Sequence, residues 1–462
     1  MSDPFYEWLI CERIEREESA MPLIGAVADD LTGATTTGVL LARSKARTAV
    51  FFNEEAAQEA RETASLDAIL ISSNSRPLPK EEAYDKVKSA TNALKAMGVK
   101  YFSKRIDTTL RGGVGVEIDA MLDQLNEDAI AVVVPAMPQS RRILVGGYSV
   151  IDGVALINTP VAQDVRTPVK ENYIPRLLAG QTRRKVGLVT LDQVLKGKDG
   201  IKEALTGVRN DGAGVIIVDA ITLEDVDQIA QACIDLDWDV VAVDPGPFTS
   251  KLAYRRGLIQ EEQPNVPPAA SEAGKTVLIA AGSATPVTKK QMQVLCEDSR
   301  HVRISVEPIP LINGGDEAFK AVNKAVELIE SDKQPRAILF ETALHGELLN
   351  LDEEDKKRGY AGGMSANRIN AGLGTIISQV LEQVGREKIA GLYTTGGDTM
   401  VNVCYQLGVE CIEVMDYVIP QTDVGRLVGK YDGLPVVGKG GLTGNDNTAC
   451  DIVERLFKES AR

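Results

Sequence analysis

The sequence predicts an α/β protein made of two α/β domains with mostly parallel sheets, and three observations lead there. Apolar runs of strand length are followed repeatedly by a glycine or polar turn and then by a segment with helical apolar spacing. At 462 residues the chain exceeds what one ordinary core serves. A single proline-rich break, QEEQPNVPPAASEAGK at 260–275, separates two halves whose turns differ in chemistry. The expected organisation is an N-terminal arm at 1–22, a first domain at 23–262, a linker at 263–274 and a second domain at 275–462.

The arm carries acidic charges and lacks the design of a signal peptide. Its Phe5, Trp8, Leu9 and Ile14 suit an amphipathic helix packed on the body or on a second copy in a homodimer. The first domain opens on LIGAVADDLTGATTTGVLL, residues 23–41. Leu23 to Val27 reads as a buried strand, Asp29 and Asp30 fall at its end, and Thr32-Gly33 opens a helix. Adjacent carboxylates at the carboxyl end of a parallel strand are placed to grip hydroxyls or a metal, and Asp30 or Thr32 equally suits a helix cap. Further strands are expected near 48–52, 67–72, 99–104, 129–134, 185–190, 214–218 and 239–243. Helices are expected near 33–43, 54–63, 79–97, 114–125, 171–179, 192–196, 199–207 and 224–236.

Polar clusters recur at these strand ends. Ser73-Asn74-Ser75-Arg76-Pro77, the stretch Ser103 to Gly113 and the stretch Pro135 to Arg142 each bring cations, hydroxyls or both. Loops at one sheet edge with this content form an anion- and hydroxyl-binding site, and arginine suits a bidentate carboxylate contact. The second domain repeats strand, glycine turn and helix start: Thr276–Ala281 into Gly282-Ser283-Ala284-Thr285-Pro286, Ile389–Tyr393 into Thr394–Thr399, and Leu434–Val437 into Gly438-Lys439-Gly440-Gly441 with Asn445 or Asp446 as cap. Unpaired backbone N–H groups at such turns bind phosphate, so three of them predict a nucleotide polyphosphate. A fourth glycine-rich stretch, 359–364, precedes a helix from Ser365 and reads as a lid, a base-binding loop or packing.

Two standard nucleotide fingerprints fail. GLPVVGKG at 433–440 lacks the Ser or Thr that follows a P-loop lysine, and GLG at 372–374 reaches Ile377 where a third small residue is needed. Net charge is −15, from 51 basic and 66 acidic residues, which argues against nucleic acid and anionic membranes as partners. An anionic ligand must then be held by local Arg, Lys, helix N-termini or Mg²⁺. Six scattered cysteines without a CxxC pair point to reduced thiols in the cytoplasm. Of the two histidines, His301 is expected on the surface, and His345 lies at a strand end where ligand contact is one reading.

Taken in order, ADDLTGA (28–34), KRIDTTLRGG (104–113), PAMPQSRRILVGG (135–147), DVRTPV (164–169), GSATPVT (282–288), TTGGDT (394–399) and GKGG (438–441) resemble the four-carbon acid sugar kinases, a family that includes D-threonate and D-erythronate kinases. The resemblance runs from about residue 23 to the end. It implies a sugar-acid-binding first domain, an ATP-binding second domain, both ligands in the interdomain cleft, and phosphorylation of the terminal hydroxyl. It further implies nucleotide contacts at Ser283, Gly396, Gly397, Asp398, Thr399, Gly440 and Gly441, and a sugar acid facing Asp29, Asp30, Arg76, Asp107 and Arg142. Asp30, Asp107, Lys104 and Arg111 are the candidate catalytic residues, ATP and Mg²⁺ the cofactors, and no metal ligand is assigned. The chain departs from the family pattern at Glu171-Asn172, at Arg141 and across Leu442 to Asp446, while its Asp107–Arg111 loop resembles the threonate/erythronate branch more than the 3-oxo-tetronate branch. The alternatives are a 3-oxo-tetronate 4-kinase, or a non-catalytic sensor of nucleotide and sugar acid.

Overall fold

The computed structural model describes residues 22–60, 65–164, 167–263, 266–267, 269, 271, 274–345 and 348–461. Residues 1–21 of the arm, parts of the linker, Val165-Arg166 and Gly346-Glu347 are among those outside these residues. By its internal contacts the chain divides into two compact units, Met1–Gln263 and Pro264–Arg462.

In the first unit the elements alternate as the periodicity predicts. They are β1 (Ile24–Ala28), α1 (Leu31–Arg43), β2 (Thr48–Phe51), α2 (Glu54–Glu59), β3 (Ala68–Ser72), α3 (Lys80–Ala96), β4 (Tyr101–Arg105), α4 (Val114–Leu122) and β5 (Ile130–Val133). A hairpin sheet follows, β6 (Arg142–Val145), β7 (Tyr148–Ile151) and β8 (Val154–Ala155). Then come α5 (Ile174–Ala179), β9 (Val186–Val189), α6 (Leu191–Val194), α7 (Gly197–Asn210), β10 (Val215–Val218), α8 (Leu223–Asp235), β11 (Val240–Asp244) and α9 (Pro247–Arg255). The small antiparallel sheet and α9 are additions to the sequence reading.

Eight strands pair in the order β2-β3-β1-β4-β11-β5-β10-β9, all parallel. Register sets the strand ends level: Ala28 stands opposite Ser72 on one side and Arg105 on the other, and Arg105 opposite Asp244. The loops after β1, β3, β4 and β11 therefore leave the sheet at one edge. Both faces are covered, which is why strands such as VIIV at 215–218 are apolar at every position. Val132, Val134, Ile216, Val218 and Phe248 are all fully buried in this core.

The second unit holds β12 (Thr276–Ala281), α10 (Pro286–Leu295), β13 (His301–Ser305), α11 (Pro308–Asn313), α12 (Glu317–Glu330), β14 (Ala337–Glu341), α13 (Leu351–Arg358), α14 (Met364–Val384), β15 (Ile389–Thr395), α15 (Gly397–Gln406), β16 (Val409–Ile419), β17 (Thr422–Gly429), β18 (Pro435–Lys439) and α16 (Thr448–Glu459). Strands β13-β14-β12-β15-β18 are parallel, and β17 and β16 complete the order as antiparallel neighbours. Thr285 caps α10, accepting from Thr288 N, with Pro286 at the first helical position. The cap position of α16 is Asn447 rather than Asn445 or Asp446; its side chain makes no cap bond, while Asn445 Oδ1 accepts from Asn447 N at 3.0 Å. Among the described residues no helix is long and apolar enough to cross a membrane.

Candidate active site

The loops at the edge of the first sheet bring Asp29, Asp30, Arg76, Arg105 and Asp107 into one ion-pair cluster. Arg76 reaches Asp29 through Nε at 2.7 Å, Asp30 through Nη1 at 2.7 Å and Asp107 through Nη2 at 3.9 Å. Arg105 Nη1 lies 3.1 Å from a carboxylate oxygen of both Asp29 and Asp30. Asp30 also caps α1, accepting from Gly33 N at 2.8 Å, so cap and cluster member are one residue. Gly33 is required by close approach: a β-carbon there would overlap the Arg105 guanidinium.

Burial opposes ionisation of Asp29, but Arg76, Arg105 and Lys104 together hold its carboxyl below the usual carboxylate range. The same balance holds Asp107 well below that range, with Arg76 and Arg111 as the main opposing charges. Arg111 grips Asp107 with Nε at 2.7 Å and Nη2 at 3.3 Å, and its Nη1 lies 3.3 Å from Asp164. Thr109 donates its hydroxyl to the same carboxylate.

Arg142 differs from these guanidinium groups. Its Nη1 donates to Ser140 O at 2.8 Å, its Nε is buried without a partner, and among the described residues it makes no ion pair. Burial pulls its guanidinium below the ordinary value, which Asp107 and Asp152 counter from a distance.

Lys104 takes a position different from its cluster neighbours. It is fully buried, with Nζ 2.7 Å from Glu117 Oε2 and 2.8 Å from Arg105 O. Glu117 also accepts from Ser75 Oγ at 2.8 Å, which ties the Arg76 loop to α4. Adjacent strand residues face opposite sides of a sheet, so Lys104 and Arg105 separate.

Two carboxylates that the sequence reading passed over support the edge. Asp219, after β10, accepts from Gly146 N at 2.5 Å, Gly147 N at 2.9 Å and Leu191 N at 3.0 Å, fixing the hairpin that begins with Arg142. Asp244, the last residue of β11, accepts from Gly246 N at 2.8 Å and Phe248 N at 2.6 Å, anchoring the start of α9. Burial raises both above the usual range, against the pull of these N–H groups. Their signal in the sequence is an apolar strand closed by a single acid, VIIVDA and VVAVDP.

In the second unit the three glycine turns stand side by side, because β12, β15 and β18 are adjacent parallel strands with Ala281 opposite Thr395 and Thr395 opposite Lys439. Ser283 Oγ and Thr288 Oγ1 lie 3.2 Å apart, Thr285 Oγ1 donates to Gly441 O at 2.6 Å, and Thr399 Oγ1 donates to Asn370 Oδ1 at 2.9 Å. A β-carbon at Gly282 would stand 2.6 Å from Asn370 Oδ1 and overlap Thr399. Gly396 has φ 105°, and Gly397 and Asp398 begin α15. Ser283, Gly396, Gly397, Asp398, Thr399, Gly440 and Gly441 thus belong to one edge. A cavity of about 100 Å³ adjoins it, lined by Gly282, Pro308, Thr342, Leu348, Ile369 and Asn370 among others. This edge fits a nucleotide: helix starts at glycine turns, hydroxyls and an adjoining cavity.

The histidines correct one expectation and inform another. His301 is half-buried as the first residue of β13, its Nδ1 2.8 Å from Leu295 O at the end of α10, a tertiary contact that the polarity of its sequence neighbours does not reveal. His345 sits between carboxylates, Nδ1 2.9 Å from Glu341 Oε1 and Nε2 3.3 Å from Glu307 Oε1. The five described cysteines, at 233, 296, 404, 411 and 450, are in no disulfide. Among the described residues no group of three or more His, Cys, Asp or Glu could hold a metal.

Comparison with known proteins agrees with this division. The model of a sugar-binding N-terminal domain matches residues 24–252, and that of a nucleotide-binding C-terminal domain matches residues 278–449. A D-erythronate kinase from Heliobacterium modesticaldum is 37% identical, covering 93% of this chain and 96% of its own. A D-threonate kinase from Salmonella typhimurium is 29% identical, covering 92% and 96%. A solved Salmonella typhimurium structure shares the fold with a TM-score of 0.76 at 19% identity, covering 93% of this chain and 98% of its own. With both domains matched, and 37% identity to a kinase of such an acid over nearly the whole length of both chains, the chain belongs to the four-carbon acid sugar kinase family.

Proposed function

We propose that the chain is a cytoplasmic kinase that phosphorylates the terminal hydroxyl of a four-carbon sugar acid at the expense of ATP, with D-erythronate the foremost acceptor and D-threonate next. The observation that carries the acceptor assignment is Arg142, a half-buried guanidinium with no carboxylate of its own beside the Asp29–Asp30–Asp107 cluster. An acid's carboxylate completes it, while Arg76 is already spent on Asp29 and Asp30.

ATP carried with Mg²⁺ supplies the phosphoryl group. Ser283, the turn Gly396 to Thr399, Gly440 and Gly441 would hold its phosphates, and the adjoining apolar cavity its base. The metal would rely mainly on phosphate oxygens, with Asp398 the nearest carboxylate in sequence to these turns.

The chain's own work is positioning and charge neutralisation, which is most of what phosphoryl transfer asks of a protein. Asp107 and Asp30 accept hydrogen bonds from the acid's hydroxyls and aim the terminal oxygen. Asp30, with its side chain 28% exposed, is the more open of the two. Strong ion pairing makes Asp107 a weak base, which suits a transition state in which the hydroxyl proton leaves late. Arg111 balances charge at the reacting oxygen, and Lys104 acts from beneath by fixing Arg105 and Glu117.

The test is ATP consumption with Mg²⁺ against D-erythronate, D-threonate, L-threonate, 3-oxo-tetronates and D-glycerate. The expected result is turnover on one four-carbon acid, reduced at least about 100-fold in Asp107→Asn, as loss of a positioned charged partner implies. Nucleotide binding without turnover on any acid would refute the acceptor assignment. Preference for a 3-oxo-tetronate would replace it with the sibling activity.

A further inference from the structure

Lys439 is the last residue of β18 and lies directly before the Gly440-Gly441 turn. It is 2% exposed, yet among the described residues it has no ion-pair partner. Its ammonium donates to Gly440 O at 2.8 Å and to Thr443 O at 3.4 Å, two carbonyls of the turn itself. An ammonium has three donors, so these two weak neutral acceptors leave it underpaired. A buried cation without an anion costs several kcal/mol of desolvation.

The side chains set beside it are neutral, and among the described residues no charged group pairs with it. Register sets Thr395 of β15 and Thr422 of β17 beside it, and Gln291 of α10 shares Thr443 O at 3.0 Å. Asp423 pairs with Gly438, one residue along, and so belongs to the other face of the sheet. The helices packed on β18 carry Asp398 on α15 and Asp451, Glu454 and Glu459 on α16, and none of these forms an ion pair with Lys439.

We propose that the missing counter-ion of Lys439 is the nucleotide's phosphate, and that nucleotide binding is therefore coupled to proton uptake at this lysine. The inference rests on the nucleotide-binding reading of the glycine turns. By drawing the Gly440 and Thr443 carbonyls inward, the ammonium leaves the N–H groups of the turn free for the phosphates and adds a full charge beneath them. Burial alone pulls the free ammonium down to about 8, and an arriving anion restores it toward the ordinary lysine range. Lys439 is on this account a positioning residue whose charge the ligand completes.

The experiment is calorimetric titration of the full chain with ADP at about pH 8 in two buffers of different ionisation enthalpy, for wild type and Lys439→Met. Wild type should take up on the order of half a proton per ADP, since a group with a pKa near 8 is half protonated before binding. Affinity should fall as pH rises above this. Lys439→Met should bind on the order of 10- to 100-fold more weakly, the usual loss for a charged hydrogen-bond partner, with no proton uptake. ADP binding to wild type without proton uptake would overturn the inference, and that measurement needs no variant to fold. An Lys439→Met chain that melts normally and binds as tightly as wild type would overturn it as well. No ADP or ATP binding by wild type would instead remove the nucleotide reading beneath it.

Discussion

Replacing Gly33 with alanine sets two effects against each other. Gly33 lies inside α1, and its backbone conformation there is one any residue adopts, so alanine gains about 0.5–1 kcal/mol of helix stability. The added β-carbon overlaps the Arg105 guanidinium, which is 7% exposed and pinned at 3.1 Å to both Asp29 and Asp30. Displacing it strips a buried carboxylate of one of its two arginines, a loss of about 3–5 kcal/mol when a buried pair is broken from one side. The net expectation is a destabilisation of about 2–4 kcal/mol, or roughly 5–15 °C in melting temperature for a unit of this size. The sign of the pH dependence is fixed by Asp29, whose folded pKa is depressed. Its contribution is full above the unfolded value of about 3.9 and is lost only as pH falls through the folded value. The gap between wild type and Gly33→Ala should therefore be constant from neutral pH down to about pH 4 and close below it. Thermal melts followed by circular dichroism, with sugar-acid turnover on the same samples, read both effects. A variant that melts at or above wild type with unchanged turnover would mean that Arg105 moves freely and does not set the cluster.

The Lys104–Glu117 pair separates a supporting role from a chemical one. Glu117→Gln leaves a fully buried ammonium uncompensated and should cost about 3–5 kcal/mol, whereas the double variant with Lys104→Met removes both charges and should recover most of that loss; urea melts of the three chains check this. If the double variant is as unstable as the single, the pair is not what Glu117 is for. In the second unit, burial works against protonation of His345 while Glu341 and Glu307 favour it, and the net effect raises its pKa. Its contribution is full below the unfolded value of about 6.5 and disappears as pH rises through the folded one. Melting curves of wild type and His345→Gln should differ most in mild acid and converge in base, and a constant difference would contradict the charged pair.

Much of this was legible in the sequence because strand ends announce themselves. An apolar run followed by ADD, SNSR or KRID marks both the strand and the edge where ligands gather, and parallel register then aligns those ends without further information. What escaped is set by facing and by distant partners. Lys104 and Arg105 read together as cations of one polar stretch at a strand end, yet both belong to β4, and alternation turns Arg105 toward the aspartates and Lys104 toward Glu117 on α4. No local pattern names Glu117, since it is defined only once α4 packs. The antiparallel strands β16 and β17 escaped for a related reason: charged residues such as Glu413, Asp416 and Arg426 interrupt their apolar pattern, and those charges find partners only in the fold, as Asp416 does in Arg455.

The order of strands in the first sheet has a consequence for how this unit comes into being during synthesis. Strands β4 and β5 follow one another along the chain but do not touch; β11 lies between them. Every cluster residue up to Arg111 has been made long before Val240 leaves the ribosome, and until then β4 presents a bare row of amides and carbonyls on one side. Such an edge is a template for mispairing, and closing it needs a contact that spans more than half of the unit. A nascent chain halted before Asp244 thus holds all of these charges and no finished sheet to carry them. The last strand of the unit to be synthesised is the one that fills its middle.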